Sequence, residues 1–388
     1  MIIERTIIRH LKKMLGQFPV VSVTGPRQSG KTTMLRDAFK EYKYYNLERT
    51  DHRQLIMEDP MAFLENNGPG VIFDEAQNLP ELFSYIQVIS DERNVPGQYI
   101  LSGSQSFLMN EKISQSLAGR VFVGHLLPFS MHELDKKQDV YTAIFNGYYP
   151  RLHEAGINAE DFYPSYLQTY IERDIRSLKA VTDLNSFFRF VSLCAGRIGQ
   201  VINLSSLAND AGIAVNTAKS WISLLETSFI VYQLQPYYRN FNKRIIKSPK
   251  LYFYDTGLAC SLLRINSRDV LKTHYLYGAL FENLVISEII KQFHHTGIRP
   301  QVYYWRESNG TEIDCIIEKN DREIIAVEIK AGKTFNKDYL KNFKKLPVID
   351  LKVEKRIIYT GTENAEVGGV YLMNWEFLAA EGGNNASN

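Results

Sequence analysis

Cysteine is scarce in this chain. Three in 388 residues, Cys194, Cys260 and Cys315, stand far apart with no CxxC among them. That argues against a disulfide framework and a structural zinc site, and a reducing cytoplasm is the expected setting. Long apolar runs are also missing: none approaches the roughly 18–20 residues that cross a bilayer, so no membrane role is expected. From Met1 to Leu15, Glu4, Arg5, Arg9, Lys12 and Lys13 interrupt Ile2, Ile3, Ile7, Ile8 and Leu11. This reads as an amphipathic helix rather than a secretory signal. Neither sign of charge dominates: 45 Lys and Arg stand against 43 Asp and Glu, for a net +2. Such a balance says little about partners, because a local basic patch hides in a neutral total. No internal repeat of fixed period is present. What the chain does have is 45% hydrophobic residues and 23% charged. This excludes disorder throughout, and the length suggests two or three domains.

Residues 16 to about 145 alternate short β-rich runs with helical stretches, the pattern of a mostly parallel α/β sheet. The runs are Val20–Thr24, Tyr42–Asn46, Val71–Phe73, Tyr99–Ser102 and Val121–Leu126. A mainly helical stretch follows from about 160 to 235, then a helix and several alternating strands from about 275. The expected division is 1–155, 156–270 and 271–380, with 381–388 a loose polar tail.

Gly25-Pro26-Arg27-Gln28-Ser29-Gly30-Lys31-Thr32 matches GxxxxGK[ST], and Thr33 follows it. An apolar strand enters this loop and a helix-like stretch leaves it, as a phosphate loop requires. Small residues let backbone N–H groups turn toward phosphate oxygens at a helix N-terminus that favours anions. Lys31 is expected at the β- and γ-phosphates of ATP, with the Thr32 hydroxyl on Mg²⁺. The apolar run Val71-Ile72-Phe73 ends in Asp74-Glu75. Two carboxylates at a strand end cost solvation unless a cation or ligand sits there. Asp74 is expected to hold the Mg²⁺ water shell and Glu75 to polarise the attacking water. Ser102 or Ser104, after the next buried strand, is placed to sense the γ-phosphate. Arg120 is a candidate for stabilising transition-state charge, within its own chain or across to a neighbour.

Together these residues resemble the AAA+-related P-loop ATPases of bacteria and archaea whose loop reads GPRQ-x-GKT. Their C-terminal half is a domain of unassigned function with a restriction-endonuclease-like core. The resemblance runs from about residue 16 to about residue 375. Its pieces are Gly25–Thr32, Phe73–Gln77, Gly103-Ser104, Gly119-Arg120, Tyr170–Asp174, Tyr254–Gly257, Gly278–Glu282 and the Asp314/Glu328/Lys330 set. Ser29 stands where a small apolar residue is usual, and Tyr148 where a second glycine is. The resemblance implies ATP hydrolysis and supplies no substrate for the remainder.

In the middle, Asn203–Gly212 and Asn216–Glu226 have helix-turn-helix spacing, with Asn216 as expected N-cap of the second helix. Phe229–Gln235 and Lys250–Tyr254 would form the wing of a winged helix. Between them Arg239, Lys243, Arg244, Lys247 and Lys250 carry no acid and interleave with Tyr237, Tyr238 and Phe241. With Lys219 these cations are expected to contact DNA phosphates while the aromatics stack.

Thr311–Lys330 reads as a hairpin turning near Asn320-Asp321. Setting Ile313 opposite Ile329, Cys315 opposite Val327 and Ile317 opposite Ile325 pairs apolar with apolar, as a buried face requires. A one-residue shift mixes charged with apolar partners. On the other face Asp314 then stands opposite Glu328, with Lys330 two residues along. Two carboxylates that bind Mg²⁺ or Mn²⁺, beside a lysine that orients water, suit metal-assisted phosphodiester cleavage. The set resembles the D…ExK motif of PD-(D/E)xK nucleases, and Glu282 matches an extra acid found in many of them. His294-His295 reads as loop rather than a metal site.

The expected whole is a cytoplasmic Mg-dependent ATPase: a P-loop module, a winged-helix-like middle and a nuclease-like domain. It would couple hydrolysis to nucleic-acid binding or processing. The competing expectation is an ATP-dependent conformational switch or scaffold that docks a protein partner on an inactive nuclease fold. Homo-oligomerisation is open in both.

Overall fold

The protein is described here by a computed structural model that covers residues 3–104, 109, 113, 115–134, 137–170, 181, 183–238, 248–307, 310–346 and 351–381. Arg239, Lys243, Arg244 and Lys247 lie outside the described residues, as do Phe241, 171–174 and 382–388. The described chain groups into two compact units. One holds residues 1–129, 227–229 and 293–298, and the other holds the rest.

The first unit is built on a parallel sheet of strands β1 (Val20–Thr24), β2 (Lys43–Asn46), β3 (Val71–Asp74), β4 (Tyr99–Gly103) and β5 (Val121–His125), in the order β2-β3-β4-β1-β5. Its central strands are apolar without alternation because both faces are covered. Phe73, Tyr99 and Leu101 point into one core, with Phe63, Phe83 and Ile86. Ile72 and Ile100 point into the other, with Leu11, Met34 and Leu35. The N-terminal helix spans Ile7–Leu15 and buries Ile7, Leu11, Met14 and Leu15. Arg5 therefore precedes the helix expected to contain it. Its guanidinium is buried, donating to the Ser29 carbonyl at 2.7 Å and the Leu127 carbonyl at 2.7 Å.

In the second unit, helices Leu204–Ala211 and Val215–Thr227 flank Gly212, whose φ of 70° ends the first of them. The cap falls on Asn203, which accepts from the Ser206 N–H at 3.0 Å. Asn216 lies inside the second helix, one residue past its start, so the expected cap is corrected. Trp221 is buried against Phe187 and Phe190 and serves the core. Strands β6 (Val231–Leu234) and β7 (Lys250–Phe253) pair antiparallel.

A separate knot explains the Tyr254–Gly257 piece of the resemblance. Asp255 caps the helix Thr256–Leu262, accepting from the Leu258 N–H at 3.0 Å. It also accepts from the Tyr148 N–H at 2.7 Å and the Tyr163 hydroxyl at 2.7 Å. Gly257 has no room for a side chain, since a Cβ there would lie 2.4 Å from the Tyr163 hydroxyl. Gly257 and Asp255 thus serve packing and capping.

The second sheet has the order β12-β13-β11-β10-β9-β8, with β8 (Val302–Arg306), β9 (Glu312–Asn320), β10 (Glu323–Lys330), β11 (Lys352–Tyr359), β12 (Ala365–Val367) and β13 (Val370–Asn374). Ile317 opposes Ile325 and Cys315 opposes Val327, the register reasoned from apolar pairing alone. A shift between Glu323 and Ile324 confines the irregularity to the turn. The helix Tyr277–His295 precedes this sheet in the chain.

Candidate functional sites

Strand β1 delivers the chain to the phosphate loop, and the helix Lys31–Ala38 starts directly after it, with Gly30 at its N-cap in a left-handed conformation (φ 90°). Gly25 is forced by space: a Cβ there would lie 2.1 Å from the Leu126 carbonyl oxygen. Lys31 is buried, and its ammonium donates to the Gly25 and Pro26 carbonyls at 2.9 and 2.8 Å. This folds the loop around the lysine, with Arg5 gripping it from beneath through Ser29. Thr32 Oγ1 donates to Asp74 Oδ2 at 2.7 Å, linking the loop to β3. Asp74 also accepts from Tyr44 at 2.5 Å and from Ser102. These hard oxygens fit Mg²⁺. Burial, reinforced by the Asp74 hydrogen bond, pushes the Tyr44 phenol well above its ordinary pKa and keeps it a donor.

Glu75 has φ 53°, a left-handed conformation uncommon outside glycine. It directs the carboxylate to Gln77 Nε2 at 2.5 Å and to the Ser104 hydroxyl at 2.9 Å. The structure therefore brings Gly25–Thr33, Asp74, Glu75, Ser102 and Ser104 to one sheet edge, the C-terminal ends of parallel strands where ligands bind in such folds. Arg120 stands elsewhere. It precedes β5, and its carbonyl accepts from the Val20 N–H at the start of β1. The length of β1 separates it from the loop, about 16 Å at the usual rise per residue. Its guanidinium is paired with Asp91. A role for Arg120 at its own chain's phosphates is thus corrected.

His294 and His295 are likewise not loop. They end the helix Tyr277–His295, and His295 is buried. Burial lowers the His294 pKa to about 3 and that of His125, 5.2 Å away ring to ring, to about 4. His125 hydrogen-bonds Thr24 Oγ1 at 2.8 Å, so this is a neutral packing cluster.

In the second unit, the hairpin register brings Asp314, Glu328 and Lys330 together. Lys330 Nζ is 3.3 Å from Asp314 Oδ2 and also contacts Glu328, while Asp314 accepts from the Ile329 N–H at 2.7 Å. Asn342 donates to Glu328 Oε1 at 3.0 Å. Glu282 comes from the neighbouring helix, which Asn283 docks on β7 through reciprocal bonds to Phe253, 2.7 and 2.9 Å. Two groups joined to this site escaped sequence reasoning. Lys250, 3% exposed, sits 3.3 Å from Glu282 and contacts Glu312. Its membership of the solvent-facing basic run is corrected. Glu312 was legible: the same register places it on the face of Asp314. Lys250 had no sequence signal, because it arrives from another sheet. Burial, then the Asp314 charge, raises both Glu282 and Glu328 to about 7. Among the described residues no group of three or more His, Cys, Asp and Glu is arranged to hold a metal ion.

Of the expected nucleic-acid contacts, Lys219 is exposed on its helix. Tyr237 is not available for stacking: it is buried in the core beside Tyr303 and donates its N–H to the Tyr304 carbonyl at 2.6 Å.

Three segments of the chain match known family models. Residues 17–135 match the family model of an AAA domain. Residues 137–269 and 277–378 match two domains of unknown function, DUF8612 and DUF4143. The AAA-domain match supports ATP binding by residues 17–135. Uncharacterized proteins of Mycobacterium bovis and Mycobacterium tuberculosis are each 29% identical over 366 residues, covering 93% of this chain and 81% of theirs. One from Methanocaldococcus jannaschii is 26% identical over 242 residues, 60% of this chain and 45% of its own. Among solved structures, a Walker-type ATPase of Pyrococcus abyssi overlaps with TM-score 0.45 at 14% identity, covering 66% of this chain and 94% of its own. DnaA of Aquifex aeolicus bound to AMPPCP overlaps with TM-score 0.28 at 13% identity, covering 57% and 85%. No helix among the described residues is long and apolar enough to cross a membrane.

Proposed function

We propose that the chain is a Mg²⁺-dependent ATPase whose hydrolysis is coupled to nucleic-acid processing in its C-terminal region. The observation that carries the first half is the Thr32–Asp74 hydrogen bond beside a loop folded around Lys31. Magnesium, when bound, would offset charge on the phosphates. Thr32 and Asp74 would hold it. Gly25–Thr33 would wrap the phosphates, Lys31 would lie against the β- and γ-oxygens, and Glu75 would orient water when released from Ser104. Lys31→Ala is expected to abolish ATP turnover with an unchanged circular dichroism spectrum; unchanged turnover would defeat the assignment.

The second half rests on Asp314, Glu328 and Lys330 sharing one sheet face. These hard carboxylate oxygens suit one Mg²⁺ or Mn²⁺. The test is incubation of DNA and RNA with Mn²⁺, with and without ATP, comparing native protein with Asp314→Ala. Cutting lost in the variant supports it; no cutting by native protein removes it. One observation favours the alternative, an ATP-driven switch that docks a protein partner on an inactive nuclease fold: Lys250 and Lys330 already neutralise acids of this site. The breaks between the matched segments, at 135–137 and 269–277, support the three-part division of the chain. The sparse cysteines suit the cytoplasmic setting that this reading takes.

A further inference from the structure

A cation-rich segment beside the C-terminal site was not among the expected nucleic-acid contacts. Between Lys330 and Leu346 stand Lys330, Lys333, Lys337, Lys341, Lys344 and Lys345, with Asp338 as the single acid. In a chain of net charge +2 this is a marked concentration. A run of charge is ordinarily just a solvated loop, but this one is fastened at several points. Phe343 and Leu346 are buried at 3% and 5% exposure. Asn342 donates to Glu328 at 3.0 Å, and Lys345 to the Thr311 hydroxyl at 3.1 Å. The segment also folds back on itself: a Cβ on Gly332 would lie 3.1 Å from the Tyr339 hydroxyl. It is therefore held against the strand ends that present Asp314, Glu328 and Lys330, and Lys333, Lys337, Lys341 and Lys344 remain exposed. The ion pair Lys341–Asp338 is solvent-facing at both ends and holds its lysine weakly.

We propose that the segment Lys330–Leu346 is a phosphate-binding rail that lays a nucleic-acid backbone beside Asp314 and Glu328. The proposal rests on the phosphodiester reading of that site and names the residues that deliver its substrate. Ammonium groups act as point charges toward phosphate oxygens and read no sequence, so affinity without sequence preference is expected. A nucleic acid is favoured over an acidic protein because the rail borders a carboxylate–lysine set suited to a phosphodiester.

The test is fluorescence anisotropy of labelled DNA and RNA oligonucleotides with the full chain in EDTA, across a salt series. The comparison is with a K337Q/K341Q/K344Q variant, whose changed side chains are all exposed, and with Lys219→Gln. The expected result is at least about tenfold weaker binding for the triple variant, with a log–log salt slope shallower by about two. Lys219→Gln is expected to keep both. Unchanged affinity and slope in the triple variant would overturn the rail. So would no binding by native protein at low salt, or displacement of the oligonucleotide by polyglutamate at equal charge. Because no metal is present, the outcome is separable from cleavage. Binding lost in the triple variant without any cutting by native protein supports the rail and removes only the nuclease reading.

Discussion

Lys31 and Lys250 are both buried cations, yet they do opposite work. Lys31 faces backbone carbonyls of a loop that expects an anion. Lys250 faces carboxylates and completes a charge network. Removing one member of a buried ion pair leaves its partners desolvated, which costs about 3–5 kcal/mol. Lys250→Met is therefore expected to lower stability by about that amount in urea denaturation; a change below about 1 kcal/mol would show the network to be solvated. Gly25→Ala is expected to abolish nucleotide binding with little loss of secondary structure. The added methyl group meets the Leu126 carbonyl, which leaves the loop no room. Equilibrium binding of a fluorescent ATP analogue reads this directly.

At the scale of elements, the C-terminal hairpin shows what a sequence carries. Its register followed from pairing apolar residues on one face, and Asp314, Glu328 and Lys330 came together as a result. The phosphate loop was legible for a similar reason, since its glycines, lysine and strand context are local. Arg120 is far from its own chain's phosphates because the β5 it precedes runs parallel to β1, and only the pairing shows which end of the sheet it occupies. Tyr44, Arg5 and Lys250 were invisible, since each reaches its site from an element distant in the chain. Burial and the Asp314 charge raise Glu282 and Glu328 to about 7, against the opposing pull of Lys250 and Lys330. The sign follows from linkage: a carboxyl raised in the folded state contributes stability below its ordinary pKa and loses it as pH rises through the folded value. Denaturation midpoints are therefore expected to fall between about pH 5 and about pH 8, less so in the E282Q/E328Q variant. Parallel pH dependence in both proteins would contradict the assignment. Mn²⁺ affinity should rise over the same interval, because ligand protons must leave first.

Across the whole molecule, a balanced net charge concealed where the cations are gathered. Had the helix Val215–Thr227 been the DNA reader, its exposed face would be expected to carry more than Lys219. If hydrolysis is coupled to nucleic-acid processing, ATP turnover should change when DNA or RNA is added; an unaffected rate favours the switch that binds a protein. Every such coupling depends on the first unit taking up nucleotide. Calorimetric titration of magnesium–ATP into the chain of residues 1–388 tests this most directly. The account predicts saturable single-site uptake that disappears in Lys31→Ala, and an absence of heat from the native protein would contradict it.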